Sequence, residues 1–213
     1  MSDENKTLGI ALTDSIASEH LQELGVDIAD VAVDSLVQNE VITEIPIVGT
    51  VYKAGKSLLA IRDALLLKKV LIYLREHQNI PMADRTNFLS GFSSESDKVR
   101  FGETVLMLLD SMSHFEKVHI LGRFSRALFL DLISKSEFEQ LADATQRVFV
   151  NDIGQLVHIA SGKPHSENLA TERLANVGLL SNYIDGLVFG KHRAKTEINA
   201  LGRLFVTHGL TNW

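Results

Sequence analysis

Three observations predict a mostly α fold: a multi-helix bundle over 10–160, followed by a small α+β element over 161–213. Apolar residues recur at three- and four-residue spacing almost without a break until residue 160. Only three prolines occur, Pro46, Pro81 and Pro164, and so little proline suits long helices better than many short strands. Beyond Pro164 the pattern changes to alternation around Gly190, the period of a β-hairpin. Hydrophobic residues are 45% of the 213 and charged residues 23%, which excludes a disordered or collagen-like chain. Cysteine is absent. A disulfide scaffold, a thiol nucleophile and cysteine-ligated metal sites are thereby excluded, and a reducing, cytoplasmic setting is expected.

Taken in order, residues 14–24 and 26–38 read as helix with a break at Gly25, and Ile28, Val31, Leu36 and Val37 form the buried stripe of the second piece. Thr43 to Pro46 is a joint. From Ile47 to about His77 the pattern is helical again, but Lys53, Lys56 and Asp63 lie on one side of the wheel and Lys69 and Glu76 on another, so two helices or one bent helix are expected. Asp84 is placed to cap a short helix reaching Phe92, and the run GFSSESD is a loop. Phe101, Val105, Leu108, Leu109 and Met112 form an amphipathic stripe. Ser113 with Glu116, and Ser136 with Glu139, have the spacing of capping boxes; the first opens a helix through about Ile133, the second a helix bearing Phe138, Leu141, Phe149, Ile153 and Leu156 inward. After the linker SGKPHS come a helix over 166–176, the hairpin, and a closing helix capped by Asn199.

Charge is unevenly distributed. Residues 1–44 carry ten acids against one lysine, a net of −9 within an overall −6. Residues 45–80 carry Lys53, Lys56, Arg62, Lys68, Lys69 and Arg75 against Asp63 and Glu76, a net of +4. Two readings stand: neighbouring helices that screen each other, or a basic surface for an anionic partner with the acidic segment as a mask. The start MSDENKTLGI lacks the basic and apolar regions of a secretory signal, and no uncharged window reaches the ~18–20 residues a spanning helix needs, so a soluble or peripheral protein is expected.

Several catalytic motifs come close and fail. Gly49 to Ser57 resembles a phosphate-binding loop, but five residues rather than four separate Gly49 from Gly55, and Val51 and Tyr52 are bulky where such a loop must curl. Asp110, at the end of an apolar run, imitates a magnesium-holding aspartate but sits in helical spacing. Glu116 and His119 form a Glu-x-x-His pair, yet a di-iron bundle needs a second copy and two more glutamates. His114, His158, His165 and His208 share no ligand spacing. No cofactor or metal is expected.

The order helix, Gly-Leu-Leu turn, hairpin and closing helix, with Thr196, Gly202 and Phe205 in a T-x-x-x-x-x-G-x-x-F string, resembles the end of a winged-helix domain over about 165–210. The resemblance implies that the helix before the hairpin can enter a DNA groove and that Lys191, His192, Arg193 and Lys195 form the wing. Against DNA, that helix carries Glu167 and Glu172 beside Arg173, and DNA-binding modules present a basic footprint. The whole chain, with its IPIVGT…YK stretch, is also similar to small bacterial helical proteins without a known activity.

The function expected is a non-enzymatic interaction or regulatory protein acting through protein contacts, with a homo-oligomer among the partners considered. The alternatives are a peripheral protein laying 45–77 on an anionic membrane, and a DNA-binding regulator using the wing at 187–195.

Overall fold

The computed structural model describes residues 3–24, 40–54, 61–188 and 191–210. They are mostly helical, with one small antiparallel sheet. Two compact units divide the chain, 1–132 and 133–213. The helices between 133 and 160, which the sequence reading grouped with the bundle, pack on the C-terminal hairpin and closing helix and belong to the second unit.

In the first unit, α1 (Asp3–Ala17) runs into a 3-10 turn (Glu19–Glu23). Next come α2 (Glu40–Thr43), α3 (Pro46–Ala54) and α4 (Ile61–Arg75), so Thr43–Pro46 is the expected joint and the described residues on either side of 55–60 are helical up to Arg75. The stripe at 26–38, the break at Gly25 and the segment 55–60 lie outside the described residues. Then follow α5 (Met82–Ser90), α6 (Glu95–Ser111) and α7 (Phe115–Phe129). Helix α1 packs on α3, α5 and α6, and α4 on α6 and α7. Val70 to Leu74 are buried through a whole turn of α4, which makes it a core helix rather than an amphipathic one. Val105, Leu109 and Met112 of α6 are buried as their spacing predicts. Phe88 touches the rings of Phe92, Phe101 and Phe129, with centroids 4.6–5.4 Å apart.

Arg85, at the start of α5, is fully buried. Its Nη1 donates to the carbonyls of Ile16 (2.5 Å) and Ser18 (2.9 Å), and its Nε to that of Ile80 (3.2 Å). A cation thus satisfies carbonyls at the end of α1, where the helix dipole favours positive charge.

Several helix ends differ from their expected positions. Pro81, not Asp84, is the N-cap of α5, because Pro81 fits the boundary and Asp84 already lies in the first turn. Ser94 caps α6, so the GFSSESD loop ends at its fourth residue. Helix α7 starts one residue later than the Ser113–Glu116 box requires: His114 is the N-cap and makes no side-chain cap bond. It ends at Phe129, short of Ile133, because Asp131 turns left-handed (φ 54°) and the Leu132 N–H returns to the Ala127 carbonyl at 2.9 Å.

The second unit begins with α8 (Lys135–Arg147). Its capping box is Ser134 with Glu137, two residues before the expected pair: Ser134 Oγ accepts the Glu137 N–H at 3.2 Å, and Glu137 accepts the Ser134 N–H at 2.7 Å. A 3-10 turn (Val150–Asp152), α9 (Ile153–Ala160) and α10 (Leu169–Asn176, capped by Asn168) follow. At Gly178 (φ 89°) the chain leaves α10 left-handed, which frees it to enter β1 (Leu180–Val188). Strand β2 (Lys191–Ile198) pairs antiparallel with β1 from Leu180↔Ile198 to Val188↔Lys191, with a register shift between Ile184 and Leu187. Helix α11 (Ala200–Leu204), capped by Asn199, continues into a π-helical turn (Phe205–Gly209).

The T-x-x-x-x-x-G-x-x-F string has a packing basis. Thr196 is held by Glu167, Gly202 lies against the Leu179 backbone where a Cβ would overlap the carbonyl oxygen, and Phe205 is fully buried. Gly202 thereby seats α11 against Leu179 and Ile198, at the open end of the hairpin.

Candidate functional site

The basic stretch divides into residues whose surroundings are known and residues outside description. Lys53 and Arg62 lie in α3 and α4 with undescribed side chains, and Lys56 falls outside the described residues. Lys69 donates to the Asp110 carbonyl at 3.0 Å, and burial lowers its pKa although Asp110 opposes this. Lys68 lies over the Phe115 ring, 5.4 Å from its centroid. Arg75 is half-buried. The near-phosphate loop also takes another form: Gly49 to Ala54 are helical, so their amides are committed to the helix instead of wrapping an anion.

Helices α4 and α7 are joined by polar contacts that periodicity alone did not announce. Tyr73 donates its hydroxyl to Ser125 Oγ at 2.8 Å, and His77 donates Nε2–H to the Gly122 carbonyl at 3.0 Å. On the more open side, His119 donates to Glu76 Oε1 at 2.6 Å and Arg123 Nε donates to Oε2 at 3.3 Å. Burial raises the Tyr73 phenol well above its ordinary range and pushes the His77 imidazole down to about 3, with Arg85 and Arg126 adding to the depression and Gly122 and Glu76 opposing it. Burial alone would raise Glu76, but the bonds and charges of His119 and Arg123 outweigh it and hold the carboxyl below its usual range. With Tyr73 and His77 both sealed from solvent, this set is a structural seam. It also pairs His119 with Glu76, while Glu116 is exposed at the start of α7. Among the described residues no group of three or more His, Asp or Glu is arranged to hold a metal. The available signal was Tyr73, Glu76 and His77 at i, i+3 and i+4, matched by His119, Gly122 and Arg123 at the same spacing.

In the second unit the expected wing is a real hairpin. Lys191, His192 and Arg193 lie in β2 with undescribed side chains, whereas Lys195 is exposed with its ammonium 5.7 Å from the Tyr183 ring centre. The helix before the hairpin, α10, carries one basic residue, Arg173. Its Nε and Nη2 donate to both oxygens of buried Asp152 at 2.6 and 2.5 Å. Those bonds raise its pKa further, and the guanidinium lies 5.3 Å from the Phe149 ring centre. Leu169, one turn earlier on the same helical face, is 64% exposed, and Phe149 is 52% exposed. A surface of one aliphatic, one aromatic and one locked arginine results. It was missed because Phe149 reads as an inward residue of the preceding helix.

No protein-family model, curated protein or solved structure matches the chain. Among the described residues no helix is long and apolar enough to cross a membrane.

Proposed function

We propose that this chain is a non-enzymatic interaction protein of the cytoplasm with a regulatory role, acting through protein–protein contacts made by the α10 face of its second unit. One observation carries the reading: Leu169, Phe149 and Arg173 stand together at the surface. Aromatic and arginine side chains are the residues that dominate binding energy at protein interfaces. Arg173 is already held by Asp152 and Phe149, so little side-chain freedom is lost when a partner covers it. The winged-helix resemblance puts α10 in the place of a DNA-reading helix, but its single cation is neutralised by Asp152, which favours a protein partner over phosphates. The membrane alternative is disfavoured because Leu67 and Val70 to Leu74, most of the apolar side chains of α4, pack inside the first unit.

The test compares wild type with Phe149→Asp/Leu169→Asp, using sedimentation velocity for self-association and cross-linking mass spectrometry for other partners. Both positions are more than half exposed, so the fold is expected to survive. Loss of association in the double variant, with retention in Arg100→Glu on α6, is the expected outcome. Association unchanged by the double variant, or a substrate turnover that a single polar substitution abolishes, would overturn the reading. The DNA-binding alternative predicts salt-sensitive duplex binding that weakens when Lys191, Arg193 and Lys195 are replaced.

A further inference from the structure

A cleft of about 850 Å³ opens in the second unit between the 162–167 connection, β2 and α11. Ile159, Pro164 and Ile198 give it an apolar wall, while Lys163, Lys195 and Arg203 set three cations in its lining against the two carboxylates of Glu167 and Glu197, a net of one positive charge. Each carboxylate already serves the hairpin. Glu167 accepts the Thr196 N–H at 2.8 Å as well as the Thr196 hydroxyl, and Glu197 accepts the Tyr183 hydroxyl at 2.7 Å. His165 is oriented by donating Nε2–H to the Thr196 carbonyl at 3.1 Å.

Three cations from three different segments, the connection, a strand and a helix, line one concavity that also offers hydrophobic contact. Its volume lies within the ~300–1,000 Å³ typical of small-ligand sites and far exceeds the needs of a bare inorganic anion. We propose that the cleft binds a small phosphorylated molecule of nucleotide size, its phosphate held by Lys163, Lys195 and Arg203 and its ring portion resting on Ile159, Pro164 and Ile198. Arginine supplies a planar fork for phosphate oxygens and lysine a mobile point charge, and such charge-assisted bonds are the strong ones. The site is separate from the α10 face and does not depend on the protein-contact reading.

Isothermal titration calorimetry on the full chain tests this, with AMP, adenosine and pyrophosphate as probes. AMP is expected to bind about tenfold or more tightly than adenosine, and to weaken by about tenfold in Arg203→Gln and in Lys163→Gln. Arg100→Gln, in the first unit, is expected to bind as wild type. Pyrophosphate binding with the same dependence on Lys163 and Arg203 would support the phosphate seat. Failure of both AMP and pyrophosphate to bind at millimolar concentration would overturn the proposal. So would equal affinity for AMP and adenosine, or wild-type affinity in the variants. If Arg203→Gln disturbs α11, which circular dichroism reports, the exposed Lys163→Gln decides the matter.

Discussion

The neutral, fully buried His77 makes the first unit sensitive to mild acid, and the size of the effect follows from its surroundings. With a folded pKa of about 3, against an ordinary value near 6.5, the ring takes up a proton in the unfolded chain but not in the folded one. The stability it contributes is therefore fully present above pH ~6.5. It declines as pH falls, at up to ~1.4 kcal/mol per pH unit, until the folded value near 3 is reached. Between pH 7 and pH 5 the loss attributable to this ring is about 2 kcal/mol. Glu76, whose carboxyl is lowered, is ionised in both states over that window and loses its contribution only at lower pH. The perturbation is His77→Gln, whose amide can still donate to the Gly122 carbonyl but cannot titrate. Urea unfolding followed by far-UV circular dichroism at pH 7 and pH 5 gives the two stabilities. Wild type is expected to lose about 2 kcal/mol more than the variant, with the other histidines cancelling in the comparison. Equal losses in the two proteins would refute the reasoning, because a ring that charges in place would have to be exposed.

Alanine at Gly202 forces a methyl into the Leu179 carbonyl and to 2.9 Å from Ile198 Cγ1, and is expected to cost about 2 kcal/mol in thermal unfolding. The same change at exposed Gly154 in α9, with nothing within 4 Å, should instead stabilise by about 0.5 kcal/mol. Replacing Ser134 with alanine should cost about 1 kcal/mol, whereas Ser136→Ala, in the first turn of α8, should be close to neutral in urea unfolding. Arg85→Met leaves the Ile16, Ser18 and Ile80 carbonyls without this donor and is expected to cost about 3 kcal/mol by the same measurement.

The elements were readable because they rest on local spacing: Val105, Leu109 and Met112 give α6, and alternation around Gly190 gives the hairpin. Their ends were less readable. Two Ser-x-x-Glu strings overlap near residue 135, Ser134–Glu137 and Ser136–Glu139, and spacing alone is the same for both. The basic stretch stood open between core and surface in the sequence, because charge is visible there and burial is not. Leu67 and Val70 to Leu74 show α4 to be core, with Lys68 and Lys69 settled against Phe115 and the Asp110 carbonyl. The α4–α7 seam joins residues more than forty positions apart, so the matching spacing on each segment shows two faces but not that they meet. Phe149 reads as core by helical counting from Leu141, but Val148 ends α8 in an extended conformation and the phase is lost there.

Arg85 also bears on how the chain comes together in time. The last turn of α1 is completed by a donor sixty-nine residues downstream of Ile16, so it is a long-range contact despite belonging to the first helix. A chain emerging from the ribosome can form most of α1 from its own hydrogen bonds, but the Ile16 and Ser18 carbonyls wait on water until α5 has been made and seated. The amides of α1 are therefore expected to gain full protection from hydrogen exchange together with those of α5, as one cooperative piece assembled from the start and the middle of the first unit.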